Sequence, residues 1–125
     1  MPLRIKILMV EDTPTDAELV TWELKKAGIE PSVLRVETRQ DFLHALESFV
    51  PDLILSDSSM PGFDGLSALR LAREQAPNTP FIFVSGGLRE EDGDDPQRAV
   101  ADYVSKTDLT RLAPIVQRAL RIKLK

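Results

Sequence analysis

Residues 53–65 read LILSDSSMPGFDG, and this stretch decides the fold of the chain. It begins with three apolar residues, reaches Ser56 and Asp57, and continues into a segment whose Pro and Gly content predicts a loop. A strand that is apolar throughout, instead of alternating with polar residues, is typical of a parallel sheet covered on both faces. The stretch therefore predicts a buried strand with a carboxylate at its carboxyl end.

Similar apolar runs and amphipathic patterns continue in both directions from this strand. Strands are predicted at Ile5–Val10, Ser32–Val36, Leu53–Leu55, Phe81–Val84 and Tyr103–Val104. Helices are predicted at Pro14–Ala27, at Thr38–Phe49 with Thr38 as its cap, after the loop that ends at Gly65 and on to about Gln75, and after a cap at Asp108. Because strands and helices alternate, we predict an α/β fold. It is a doubly wound five-stranded parallel sheet in a three-layer α/β/α sandwich, flavodoxin-like in class.

One segment fits this alternation poorly. Residues 88–95 read LREEDGDD, and Pro96 follows them. A helix belongs between the fourth and fifth strands, and the stretch left for it is Pro96–Ala101, where Pro is tolerated in the first turn. We therefore expect the helix at this point to be short or irregular.

The composition excludes several classes of function. The 125 residues correspond to about one domain, so residues 1–125 are predicted to form a single domain. The absence of cysteine excludes disulfides and thiolate chemistry, and a single histidine, His44, cannot build a histidine metal cluster. A net charge of −4 disfavours direct nucleic-acid binding, and no apolar run reaches the roughly 18 residues of a membrane span. The first residues lack a signal-peptide pattern, so a cytoplasmic location is expected.

Reactive side chains follow four of the predicted strands at their carboxyl ends. Glu11 and Asp12 follow the first strand, Asp57 the third, Ser85 the fourth and Lys106 the fifth. Each of these residues alone has a common structural role, as a helix cap, a turn residue or a surface charge. Ligand sites in an open α/β sheet form beyond the strand ends, so the coincidence favours one shared site. Three carboxylates suit Mg²⁺, while a lysine and a hydroxyl suit a phosphoryl group, which predicts a phosphoryl site with a carboxylate nucleophile.

Four segments together resemble response regulator receiver domains. They are ILMVED, LILSDSSMPGFDG, FIFVSGG and DYVSK, and the resemblance extends from Ile5 to about Leu120. Met60-Pro61 and Gly65 stand after Asp57 at the spacing typical of that family. The resemblance implies a switch in two-component or phosphorelay signalling rather than an enzyme. By this resemblance Asp57 accepts a phosphoryl group from a phosphohistidine on a sensor histidine kinase or a phosphotransfer protein.

The resemblance also implies a metal site and a control of the phosphoryl lifetime. Asp12, Asp57 and the backbone carbonyl of Ser59 would bind Mg²⁺, and Glu11 would hold the ion mostly through water. Ser59 and Gly87 occupy the two positions that tune hydrolysis in this family. Gly87 has no side chain, and the short Ser59 side chain carries no carboxylate or amide. Neither residue is therefore suited to hold a water in line with the phosphoryl group, and slow self-dephosphorylation is expected.

Three further residues would form the switch in a domain of this family. Lys106 would pair with Asp57 or with a phosphoryl oxygen, and Ser85 would move to bond the phosphoryl group. Tyr103 would turn inward into the space that Ser85 leaves. Thr107 follows Lys106 where the family often has a proline, so the turn at this point must be made in another way.

The outward face of the first predicted helix is the expected docking surface for the histidine-bearing partner. The buried stripe of this helix is formed by Ala17, Val20, Leu24 and Ala27. Leu19 and Trp22 fall nearly opposite that stripe, and Thr15 lies near the start of the helix. An exposed Trp is a favoured anchor in protein interfaces. No membrane insertion is expected, and the sequence leaves open whether the domain forms a homodimer.

Two other functions compete with the phosphoaccepting switch. One is a receiver-like interaction module that is never phosphorylated, against which the complete set of Asp12, Asp57, Ser85 and Lys106 argues. The other is a phosphatase with an aspartyl-phosphate intermediate. Enzymes of the haloacid-dehalogenase kind need a second aspartate two residues after the nucleophile, and Ser59 stands at that position.

Overall fold

The structure, a computed structural model, describes residues 3–57, 60, 62–85 and 102–122. The strands are β1 (Leu3–Val10), β2 (Ile29–Val36), β3 (Leu53–Ser56), β4 (Phe81–Ser85) and β5 (Asp102–Ser105). The helices within these residues are α1 (Pro14–Lys26), α2 (Arg39–Ser48), α3 (Gly65–Gln75) and α4 (Leu112–Leu120). The predicted alternation of strands and helices is therefore confirmed for the described residues.

The five strands form one parallel sheet in the order β2-β1-β3-β4-β5. The chain order reverses between β1 and β3, which are neighbours in the sheet. Val10 at the end of β1 pairs with Ser56 at the end of β3. The residues that follow these two strand ends, Glu11 and Asp57, are therefore brought to the same edge at the point where ligands bind in open α/β sheets.

Helices cover both faces of the sheet, as predicted for a three-layer sandwich. On one face α1 and α4 bury Leu24 and Val116 against β1, β3 and β4. On the other face α2 and α3 bury Phe42 and Leu69 against alternate residues of the same strands. Because both faces are buried, β3 and β4 are apolar on successive residues, and this produces the continuous runs in the sequence.

The second strand is longer than its predicted range, since it begins at Ile29 and contains Pro31. A proline cannot donate a ladder hydrogen bond, so within a sheet it is confined to edge strands, first strand residues and bulges. β2 lies at the edge of the sheet, where one side of the strand has no neighbouring strand within the described residues. Pro31 is tolerated there for that reason.

The start of the last helix differs from the prediction. Leu109–Arg111 form a 3₁₀ turn, and α4 begins only at Leu112. The Asp108 side chain caps no backbone N–H and instead accepts a hydrogen bond from the Thr110 hydroxyl at 2.7 Å. The reason is Pro114, because a proline is compatible with an α-helix only in its first turn. The predicted irregular helix at 96–101 lies outside the described residues.

Candidate functional site

Three carboxylates lie together beyond the carboxyl ends of β1 and β3. One oxygen from each of Glu11, Asp12 and Asp57 lies within 4.8 Å of the others. The backbone fixes this arrangement, because the Asp57 N–H donates to the carbonyl of Val10 at 2.9 Å. The predicted meeting of these acids at one sheet edge is what the structure shows.

Lys106 is the cation of this cluster. Its Nζ lies 2.6 Å from Glu11 Oε1, 2.8 Å from Asp16 Oδ2 and 3.1 Å from Asp57 Oδ2. The lysine side chain is only 15 % exposed, so water screens these contacts weakly. An ammonium has three N–H donors, so Lys106 can donate one hydrogen bond to each of these three carboxylates.

The turn that presents Lys106 is built without a proline. The Lys106 N–H donates to the carbonyl of Ser85 at 2.8 Å, which continues the β4–β5 pairing past the end of β5. The Asp108 N–H donates to the carbonyl of Ser105 at 2.9 Å and closes the turn. The Ser105 hydroxyl oxygen also accepts from the Thr107 N–H at 3.2 Å. These hydrogen bonds are the alternative turn that Thr107 requires, and the described residues contain no cis peptide bond.

Glu11 is the most deeply buried acid of the cluster, at 3 % exposure. Burial raises the pKa of Glu11 above its ordinary value, although Lys106 and the Thr13 N–H oppose the shift. The Arg35 guanidinium donates to the backbone carbonyl of Glu11 at 3.0 Å and ties the end of β1 to β2. Glu11 is thus held in place by its backbone as well as by its side chain.

The charge of Lys106 is secured by its surroundings. Burial by itself would lower the pKa of this amine, but hydrogen bonds to Asp16, Glu11 and Asp57 outweigh that effect. The pKa of Lys106 is consequently raised well above its ordinary value. Lys106 therefore carries a full positive charge beside Asp57 at neutral pH.

The donor set of the cluster suits a hard divalent cation. Glu11, Asp12 and Asp57 offer carboxylate oxygens only, which Mg²⁺ prefers to nitrogen or sulfur ligands. Close carboxylates repel one another, and Lys106 supplies only one compensating charge. The fourth predicted ligand, the carbonyl of Ser59, lies outside the described residues, as does Gly87.

The remaining predicted residues lie around this cluster. Ser85 is buried at the end of β4 and is joined to Lys106 through its carbonyl. Tyr103 is half-buried in β5, with its ring centroid 5.8 Å from that of Phe83. On α1, Leu19 and Trp22 have 57 % and 60 % of their surface exposed. Thr15 in the first turn of that helix is exposed as well.

Two residues of the site were missed by the sequence analysis. Asp16 contacts Lys106, and Arg35 contacts the carbonyl of Glu11. Asp16 stands in the first turn of α1, where an acid is commonly explained by the helix dipole. Its place in the first turn of the helix that directly follows Glu11 and Asp12 was the available signal, since that turn begins beside the acid pair at the end of β1.

The comparisons with known proteins agree on one family. A profile described as "Response regulator receiver domain" matches residues 7–117. The transcriptional regulator NtrC of Proteus hauseri is 32 % identical over 84 % of this chain and 23 % of its own length. A protein-glutamate methylesterase/protein-glutamine glutaminase of Archaeoglobus fulgidus is 34 % identical over 94 % of this chain and 34 % of its own length. The chain thus spans about a quarter to a third of these curated relatives.

A solved structure shows the same fold. The receiver domain of a sensor histidine kinase from Pseudomonas aeruginosa PAO1, with a magnesium ion coordinated in the active site cleft, is 28 % identical. It superimposes with a TM-score of 0.77 over 94 % of this chain and 98 % of that chain.

A parallel α/β sheet with an acidic cluster and a lysine at its switch point brings together the groups that phosphoryl chemistry requires. The profile match covers most of the sequence, so the chain belongs to the response regulator receiver domain family. It is a receiver domain of two-component signalling, and this family is a phosphoacceptor switch. Within the part of the chain that the structure describes, no helix is long and apolar enough to cross a membrane.

Proposed function

We propose that Asp57 accepts a phosphoryl group from a phosphohistidine, in a reaction that depends on Mg²⁺ held by Glu11, Asp12 and Asp57. One observation carries this proposal: the Asp57 carboxylate lies 3.1 Å from the Lys106 ammonium and within 4.8 Å of two further carboxylates. The donor is a sensor histidine kinase or a histidine phosphotransfer protein. The domain acts as a switch and does not turn over a substrate.

The chemistry requires a nucleophile and neutralisation of charge. An oxygen of Asp57 attacks phosphorus, so that an O–P bond forms while the N–P bond to the donor imidazole breaks. The electron pair of the broken bond stays on the imidazole nitrogen, and Asp57 becomes an acyl phosphate. Lys106 stabilises the negative charge on the transferring oxygens, and Mg²⁺, when bound, would neutralise part of the same charge.

Ser85 and Tyr103 are proposed to convert phosphorylation into a conformational change. Ser85 stands at the end of β4 beside Lys106, where a short movement could bring its hydroxyl to a phosphoryl oxygen. Tyr103 lies on the neighbouring strand and packs on Phe83 of β4. The acyl phosphate then biases an equilibrium between two arrangements of these residues.

The direct test is incubation with acetyl phosphate, with and without Mg²⁺, followed by mass spectrometry of the intact chain and a phosphate-release assay. Retained labelling that requires Mg²⁺ is expected, because the acidic cluster repels an anionic donor until a cation is bound. Continuous release of phosphate without retained label would instead indicate a phosphatase. No labelling at all would indicate an interaction module that is never phosphorylated.

The partner is proposed to dock on the outward face of α1. Trp22 and Leu19 are both more than half exposed, which is unusual for large apolar residues without a binding role. Trp22 also borders an open groove of about 420 Å³ between α1 and β2. The start of α1 supplies Asp16 to the acidic cluster, so a partner bound along this helix would bring its phosphohistidine toward Asp57.

Replacing Leu19 and Trp22 together by Ala is expected to slow transfer from a histidine kinase by ~10-fold or more, because anchors of this kind dominate interface energy. Labelling by acetyl phosphate should stay unchanged, since the small donor needs no docking surface. Rates of the two reactions are to be measured on the same preparations. The matched control is Leu34→Ala, which removes another exposed apolar side chain, 38 % exposed, from β2. Equal loss with both donors would contradict the docking role.

A further inference from the structure

Asp16 is an additional acid at the site, with a contact that joins distant parts of the chain. Its Oδ2 lies 2.8 Å from Lys106 Nζ, between the 2.6 Å from Lys106 to Glu11 and the 3.1 Å from Lys106 to Asp57. The Asp16 side chain is 35 % exposed at the rim of the site, whereas Glu11 is buried beneath it. Asp16 therefore connects the first turn of α1 to the turn after β5.

The partners of Lys106 fall into two kinds. Glu11 and Asp57 belong to the group of carboxylates whose oxygens lie within 4.8 Å of one another, and they are candidate Mg²⁺ ligands. Asp16 is not a member of that group. Lys106 and a divalent cation consequently compete for Glu11 and Asp57, while Asp16 remains available to the ammonium.

We propose that Asp16 is a positioning residue that gives the Lys106 ammonium a carboxylate partner outside the metal-binding group, so that Glu11 and Asp57 can exchange the lysine for Mg²⁺ while Lys106 stays at the site. This role rests on the proposed function of the cluster and deepens it. Without Asp16, the strong partners of Lys106 are the metal-binding acids alone. A Mg²⁺ ion that displaces the lysine from these acids then leaves the ammonium without a carboxylate partner. The contact also keeps Lys106 beside Asp57 at the moment when the phosphoryl group arrives.

Asp16→Asn is expected to weaken Mg²⁺ binding. Two effects act in the same direction: the freed lysine competes more strongly for Glu11 and Asp57, and one negative charge near the cation is lost. A rise of about 3- to 10-fold in the Mg²⁺ dissociation constant is expected for a partly exposed, charge-assisted contact. Isothermal titration calorimetry on the folded chain measures it directly. The loss of a helix-dipole contact can lower stability, but it does not by itself change Mg²⁺ affinity.

A double-mutant cycle with Lys106→Met tests whether Asp16 affects Mg²⁺ binding through Lys106. If Asp16 acts by restraining the lysine, most of the effect of Asp16→Asn disappears when the ammonium is absent. Glu18→Gln is the matched control, because Glu18 is an exposed acid of the same helix and is not among the three carboxylates that contact Lys106. The Mg²⁺ dissociation constant of this variant should stay within about two-fold of the parent.

Three results separate the possible explanations. An unchanged dissociation constant in Asp16→Asn would overturn the role of Asp16, and so would an equally large effect in the Lys106→Met background, which would reduce Asp16 to a remote charge. Either result leaves the proposed function intact if the parent still binds Mg²⁺ and is labelled on Asp57. A parent chain that binds no Mg²⁺ would overturn both proposals.

Discussion

Asp57→Asn is expected to reduce labelling by acetyl phosphate to background, the largest effect that any single substitution should have. Asparagine has nearly the same shape as aspartate, but its amide lacks the nucleophilic carboxylate oxygen that forms the acyl phosphate. The backbone hydrogen bond from Asp57 to Val10 does not involve the side chain and should persist. Mass spectrometry of the intact chain in Mg²⁺ buffer measures the labelled fraction.

The matched control for this experiment is Asp64→Asn. Asp64 caps α3 by accepting a hydrogen bond from the Ser67 N–H at 2.8 Å, and asparagine is an equally good cap. The variant removes an exposed carboxylate without changing the cluster, so it should be labelled like the parent. Label retained by Asp57→Asn at the level of this control would show that another residue accepts the phosphoryl group.

Lys106→Met is expected to produce opposite effects on metal binding and on phosphorylation. Methionine keeps an unbranched side chain but removes the ammonium that lies within 3.1 Å of Glu11, Asp16 and Asp57. Mg²⁺ should bind more tightly because its competitor is gone. Labelling should nevertheless slow by ~100-fold, the usual loss for one group that stabilises transition-state charge.

The same variant should lose stability in metal-free buffer. Removing one partner of a buried ion pair leaves uncompensated charge, here on Glu11 and Asp57, and costs about 3 kcal/mol. Urea unfolding with EDTA measures this loss, and Mg²⁺ should restore most of it. Lys26→Met is the control, because Lys26 is a half-exposed residue paired with Glu23 on α1. A labelling rate equal to that of the parent would contradict the proposed role of Lys106.

Local predictions succeeded where they depend only on neighbouring residues, and they failed where a more distant residue or the whole sheet decides the outcome. Thr38 caps α2 by accepting from the Asp41 N–H at 3.1 Å, as its position before an amphipathic run indicated. Asp108 failed as a side-chain cap because Pro114, six residues later, delays the α-helix. The range of β2 was too short because its place at the sheet edge, which permits Pro31, is a property of the whole sheet.

By itself the sequence determined the class of fold and the position of the reactive acids. Apolar runs separated by amphipathic helices define a parallel sheet, and the strand ends of such a sheet necessarily share one edge. Glu11, Asp12, Asp57 and Lys106 could therefore be assigned to one site without a structure.

Only the tertiary structure decided which charges meet within that site. The contact between Asp16 and Lys106 joins residues 90 positions apart, and no periodic pattern links them. It depends on how α1 leaves the end of β1 and on how the Ser105–Asp108 turn directs the lysine. Whether two charged groups form an ion pair depends on differences of a few ångströms, because hydrogen-bond strength and Coulomb energy both decrease as the atoms separate. Such distances arise from the packing of helices on the sheet, which local sequence signals do not specify.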